Sequence, residues 1–156
     1  MAFHHLVADD CTGHLGTTIT STATYPQAEL ILPLPPMIRA ILLYTGADGH
    51  SHFTYGSINE GALLKAERTL FKETAAQSTY DWHTAPVTQY VITLSGILEF
   101  ETKSGATFTL HPGDILVATD TTGTGHKWKL INEEPWKRVY IVFEKGENTH
   151  FVADAL

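Results

Sequence analysis

Val87-Thr88-Gln89-Tyr90-Val91-Ile92-Thr93-Leu94 runs into a Ser95-Gly96 turn, and much of the chain repeats this pattern of short strand and tight turn. The octet is dense in β-branched and aromatic residues, which suit a pleated, half-buried surface. Residues 97–102, 106–110, 114–118, 126–131 and 136–143 read the same way. Between them stand Lys103-Ser104-Gly105, His111-Pro112-Gly113 and Asn132-Glu133-Glu134-Pro135, whose Gly, Pro and Asn supply turn dihedrals. Upstream, 38–44 is apolar and bounded by Gly46, Asp48 and Gly49, and 63–71 and 78–83 extend the series. Residues 58–68 can also be read as helical, although Gly61 interrupts them. Many short strands at near-regular spacing predict an all-β sandwich or barrel.

The first 36 residues differ. Thr17-Thr18-Ile19-Thr20-Ser21-Thr22-Ala23-Thr24 has strand composition, and Pro33, Pro35 and Pro36 then exclude a helix. Residues 1–36 are read as an arm that packs against a barrel or a partner subunit, and residues 37–156 as the barrel domain.

A chain of 156 residues fits one domain with a core that needs no disulfide staple. Cys11 is its only cysteine, so no intrachain bridge can form. Hydrophobic residues make up 43% and charged residues 17%, a globular rather than disordered balance. A net charge of -7 makes a poor polyanion binder, so nucleic acid is not an expected partner. The N-terminus lacks a basic region followed by an apolar run, and no apolar stretch approaches the ~18 residues that span a bilayer. A cytoplasmic protein with no membrane partner is expected.

Period-two geometry selects the candidate site. Gln89, Val91 and Thr93 share one strand face, with Tyr90, Ile92 and Leu94 on the other. His126, Trp128 and Leu130 share a face opposite Lys127 and Lys129, and charged residues belong in water, so the His126 face is predicted to point inward. His83 ends its segment just before the Thr84-Ala85-Pro86 turn, and Gln89 follows that turn. Two imidazoles and a carboxamide can therefore meet inside a closed sheet and hold a divalent ion.

Along these residues the chain resembles a small single-domain cupin of the RmlC-like jelly-roll type, over roughly residues 38–145. In the first cupin motif His83 fills the first histidine, Ala85 falls where the second would be, and Gln89 stands at the glutamate. The six residues between Gln89 and Gly96 match the motif's spacing. Gly105, the His111-Pro112-Gly113-Asp114 turn and His126 match the second motif, with His126 displaced by the longer loop at 119–125 and the downstream asparagine displaced to Asn132. The resemblance implies a double-stranded β-helix and a homodimer. It also implies a metal set of His83, Gln89 and His126, with His52 of the Ser51-His52-Phe53 stretch as a fourth ligand. His50 and His52 stand on alternate residues and share a face of a strand, with His50 read as a surface residue.

A neutral set of this kind leaves the ion its full charge and suits an anionic oxygen pair such as an enolate or carboxylate. Imidazole and amide oxygen accept Zn, Fe, Mn, Ni or Co. Trp128 is a candidate pocket wall, with Tyr90 as a further substrate contact or a packing residue. Asp120 is a candidate contact or acid/base group at the barrel mouth, or the cap of its own turn. Three functions stay open: a metal-dependent enzyme acting on a small oxygenated molecule, a non-catalytic small-molecule binder with a degenerate and even metal-free site, and metal-free acid/base catalysis through His83 or His126.

Overall fold

The computed structural model describes residues 37–155. The readings that fall on residues 1–36, namely the arm, its 17–24 strand and Cys11, lie outside the described residues.

Among the described residues the chain is all β. The strands are β1 (Ile38–Thr45), β2 (Ser51–Ile58), β3 (Ala66–Thr74), β4 (Thr79–His83), β5 (Gln89–Ser95), β6 (Leu98–Thr102), β7 (Thr107–Leu110), β8 (Ile115–Ala118), β9 (His126–Leu130), β10 (Trp136–Phe143) and β11 (Phe151–Ala153). They form a seven-stranded sheet, β11-β2-β1-β8-β5-β10-β3, facing a four-stranded sheet, β4-β9-β6-β7. Within these, β3-β10-β5-β8 and β4-β9-β6-β7 have the strand order of an eight-stranded jelly roll. The β1–β2 hairpin and β11 lengthen the larger sheet past β8, and β1 runs parallel to β8. Of residues 58–68, the candidate helix, Ile58 ends β2, 59–65 form a turn and an extended link, and 66–68 begin β3; Gly61 stands at φ 73, where a helix would need a negative value. Among the described residues no helix is long and apolar enough to cross a membrane.

Alternation sorts the side chains into two cores. Between the sheets, Leu98, Phe100, Phe108, Leu110, Val91 and Leu116 pack with Ile41, Leu43, Leu130 and Trp136. Each such large side chain contributes roughly 1.5–3 kcal/mol on leaving water. A second cluster, Ala40, Ile58, Tyr90, Val117 and Phe143, lies on the far face of the larger sheet under Ala62, Leu64 and Phe151. The Tyr90 hydroxyl donates to the Thr149 carbonyl there. The inner core fills one end of the sandwich, and the other end opens into a cavity.

Candidate functional site

The cavity has a volume of 640 Å³ and is walled by both sheets. His83, Gln89, His126 and Trp128 all line it. His83 and His126 are register partners on β4 and β9, so they share a face, and their ring centroids stand 4.4 Å apart. Gln89 reaches the cavity from β5 in the opposite sheet. As alternation predicts, Lys127 and Lys129 turn outward, where they pair with Glu101 and Glu99.

Both imidazoles are oriented from behind. The Nδ1–H of His83 donates to the Asp81 carbonyl at 2.7 Å, and the Nδ1–H of His126 donates to Asp120 Oδ2 at 2.7 Å. A ring nitrogen bonded to a carbonyl or carboxylate must carry the proton, so each neutral ring keeps a lone pair on Nε2. Asp120 is fully buried and also accepts from the Ser51 hydroxyl at 2.8 Å, while its Oδ1 has no hydrogen-bond partner. A buried carboxylate with one idle oxygen calls for positive charge close by. His126 can supply it as an imidazolium or by carrying a cation on Nε2.

Three residues proposed for the site stand elsewhere. His52 lies in β2 and does not line the cavity, and His50 precedes the strand. His52 bonds the Asp48 carboxylate at 2.9 Å, and His50 meets Thr124 Oγ1. Ser51, between them, is the residue that faces inward. Tyr90 packs edge-on against Phe143 in the outer cluster, because Gln89 takes the inner face. Asp120 sits behind His126 rather than on the cavity wall.

The site also holds residues that the sequence reading passed over. Tyr80 lines the cavity, stacks on Trp128 and meets His83 edge-on at 4.3 Å between centroids. Residues 80 and 83 of a regular strand point to opposite faces. Here Tyr80 pairs with Trp128 and His83 with His126, so β4 spends one extra residue in a bulge, which brings both rings inward. The loop after β8 is braced by the β1–β2 hairpin: Thr119 N donates to Leu43 O, Thr45 Oγ1 to Thr122 O, and Thr124 N to Gly49 O. The added hairpin thus holds the loop that carries Asp120 into His126.

Burial holds His83 below the ordinary imidazole pKa. The Asp81 carbonyl opposes that shift, and the neighbouring His126 adds to it. The unfolded chain therefore takes up a proton at His83 before the folded chain does. Its contribution to stability is complete above the unfolded value near ~6.5 and is lost as pH falls below that through the depressed folded value. Chelator-treated protein is expected to unfold at lower urea at about pH 5 than at about pH 7.5, and His83→Gln should narrow the gap. An undiminished gap in the variant would assign the dependence to other groups.

No protein-family model matches the chain, and no curated protein matches it. Among solved structures it is similar to a DUF861 family protein from Thermotoga maritima (25% identity, 49% of this chain and 81% of that one, TM-score 0.41). It is similar also to a putative ethanolamine utilization protein Q from Salmonella typhimurium LT2 (14% identity, 70% and 98%, TM-score 0.39). A third is the Cupin_2 domain of an XRE family transcriptional regulator from Enterobacter cloacae (15% identity, 69% and 97%, TM-score 0.31). The chain's own strand order carries the assignment. The fold is an eight-stranded jelly roll with an added hairpin. In this barrel His83, Gln89 and His126 line one cavity.

Proposed function

We propose that the barrel is a metal-dependent enzyme that takes a small, oxygenated, anionic molecule, with His83, Gln89 and His126 as the ligands of a divalent ion. One observation carries this reading: two imidazoles with pinned Nδ1–H groups stand in a cavity wall with ring centroids 4.4 Å apart and planes tilted by 59°, and neither Nε2 has a hydrogen-bond partner among the described residues. Metal-binding histidines are oriented in this way by a carboxylate or carbonyl. Gln89 is buried, lines the same cavity and adds an amide oxygen suited to a harder ion. When bound, the ion supplies Lewis acidity toward a carbonyl or enolate oxygen. The chain supplies the rest: Asp120 sets the His126 ring, and Trp128 and Tyr80 wall one side. Isomerisation, cyclisation, lyase chemistry and dioxygenation all suit such a centre.

Elemental analysis of purified protein tests the reading. Wild type is expected to retain close to one divalent ion per chain, and His126→Ala to retain none. Stoichiometric metal in His126→Ala would mean that the ligands lie elsewhere.

A second reading has its own support. Among the described residues no three His, Cys, Asp or Glu side chains converge as a metal site, and the buried Asp120–His126 pair has the form of a base with its orienting carboxylate. In that case His126 Nε2 takes a substrate proton directly. Turnover that survives exhaustive chelation selects this reading over the first.

A further inference from the structure

Arg138 lies in β10 with its side chain in the cavity wall, and only 3% of it is exposed. Its guanidinium donates to Tyr140 Oη at 2.8 Å, Thr74 Oγ1 at 2.9 Å and the Trp136 carbonyl at 3.1 Å, and stacks 3.7 Å from the Trp136 ring centroid. All of these partners are neutral. No ion pair among the described residues includes it. A buried cation without an anion is costly, and guanidinium groups in such places are normally matched by a carboxylate or phosphate.

The neighbouring strand makes the imbalance larger. Arg138 is the register partner of Lys72 on β3, so two cations face each other across the ladder on the cavity side. Like charges directly opposite one another destabilise a sheet. Arg68 lines the cavity on the same face of β3, but it is paired with Glu67. This positive wall belongs to a chain whose net charge is -7. Apolar and aromatic side chains, Trp136, Trp128, Phe100, Val91 and Leu116, line the same cavity.

We propose that this wall is the anion-binding end of the cavity, and that it takes the carboxylate of an organic acid with an apolar or aromatic body. Arg138 and Lys72 receive the carboxylate, and the aromatic floor receives the body. The inference rests on the cavity being a ligand site, but not on a metal at the histidines. It separates two ends of one pocket: charge is recognised on β3 and β10, chemistry is done on β4, β5 and β9. A guanidinium fork and an ammonium can also hold a phosphate, so the test includes one.

The probes are 3-phenylpropionate, its neutral amide and phenyl phosphate. Binding is followed by calorimetry and by the fluorescence of Trp128 and Trp136, on full-length protein with and without chelator. The carboxylate should bind at least about tenfold more tightly than the amide, and than phenyl phosphate, with or without chelator. Arg138→Met should weaken the acid about 30-fold or more and leave the amide unchanged. Its thermal midpoint without ligand should match or exceed wild type, because an unpaired charge is gone. A purely structural arginine would instead lose stability and keep the preference for acid over amide. Should Arg138→Met fail to fold, Lys72→Met on the exposed edge strand reads the same preference, and the outward Lys137→Met is the control.

Equal binding of acid and amide overturns the inference, and so does an acid preference that survives in folded Arg138→Met and Lys72→Met. Acid binding that disappears with chelator but survives Arg138→Met places the carboxylate on a metal, which overturns this inference and upholds the metal reading. Tighter phenyl phosphate overturns the carboxylate. Absence of binding by all three probes removes the premise that the cavity takes such ligands.

Discussion

Gly125→Ala is expected to cost about 3–5 kcal/mol of stability and to dismantle the histidine pair in any molecules that still fold. Gly125 has φ 71, in the left-handed region, where a side chain costs roughly 1–2 kcal/mol. The larger part is steric. A Cβ at this position would lie 2.2 Å from the His83 carbonyl oxygen and 2.5 Å from its carbon. Those are backbone atoms, which have no rotamer to escape into. The chain must move either β4, which carries His83, or the 119–125 loop, which carries Asp120 and leads into His126. Gly105→Ala separates the two terms: its φ is 83, yet nothing lies within 4 Å of the added carbon, so only the left-handed cost of roughly 1–2 kcal/mol should appear. Urea unfolding of both variants checks this. Equal losses would mean that the contact with His83 is relieved without cost.

Asp120→Ala is the second large effect. The carboxylate is fully buried and accepts from Ser51 and His126 together. Its removal strands two buried donors, at about 1–3 kcal/mol each, so a loss of about 3 kcal/mol or more is expected. Asp120→Asn keeps the shape and one acceptor oxygen, and should cost less. In both variants His126 loses the carboxylate that sets its tautomer, and affinity for a divalent ion should fall by ~10–100-fold. Denaturant unfolding and metal titration measure the two effects separately. If Asp120→Ala binds the ion as wild type does, then Asp120 does not support a ligand, and the dyad is purely a fold element.

The strand series was legible because its turns are written in Gly, Pro and Asn, and because lysines on one face of β9 reveal the other face. The same parity put Gln89 on the cavity side of β5. Alternation states which residues share a face, but not which face is inside. His52 was expected inside, but the inner face of β2 is fixed by its ladder with β1 and carries Ser51 instead. Tyr80 was hidden for a different reason: a bulge breaks the period of two, and nothing in Thr79-Tyr80-Asp81-Trp82-His83 announces the extra residue. Arg138 shares parity with Trp136, Tyr140 and Val142, a signal that the rule placing charges in water overrides. Asp120 was noticed as a mouth residue, but its role behind His126 depends on Ser51, a hairpin added outside the eight-stranded roll.

The histidine pair belongs to the smaller sheet and Gln89 to the larger. Anything grasped by all three therefore bridges the seam of the sandwich, and separating the layers means letting it go. Occupancy then acts as a rivet, resisting denaturation in proportion to how tightly it is held. A shift in melting temperature on loading would report whether both layers are gripped, and Gln89→Ala would show how much of that grip comes from the far side.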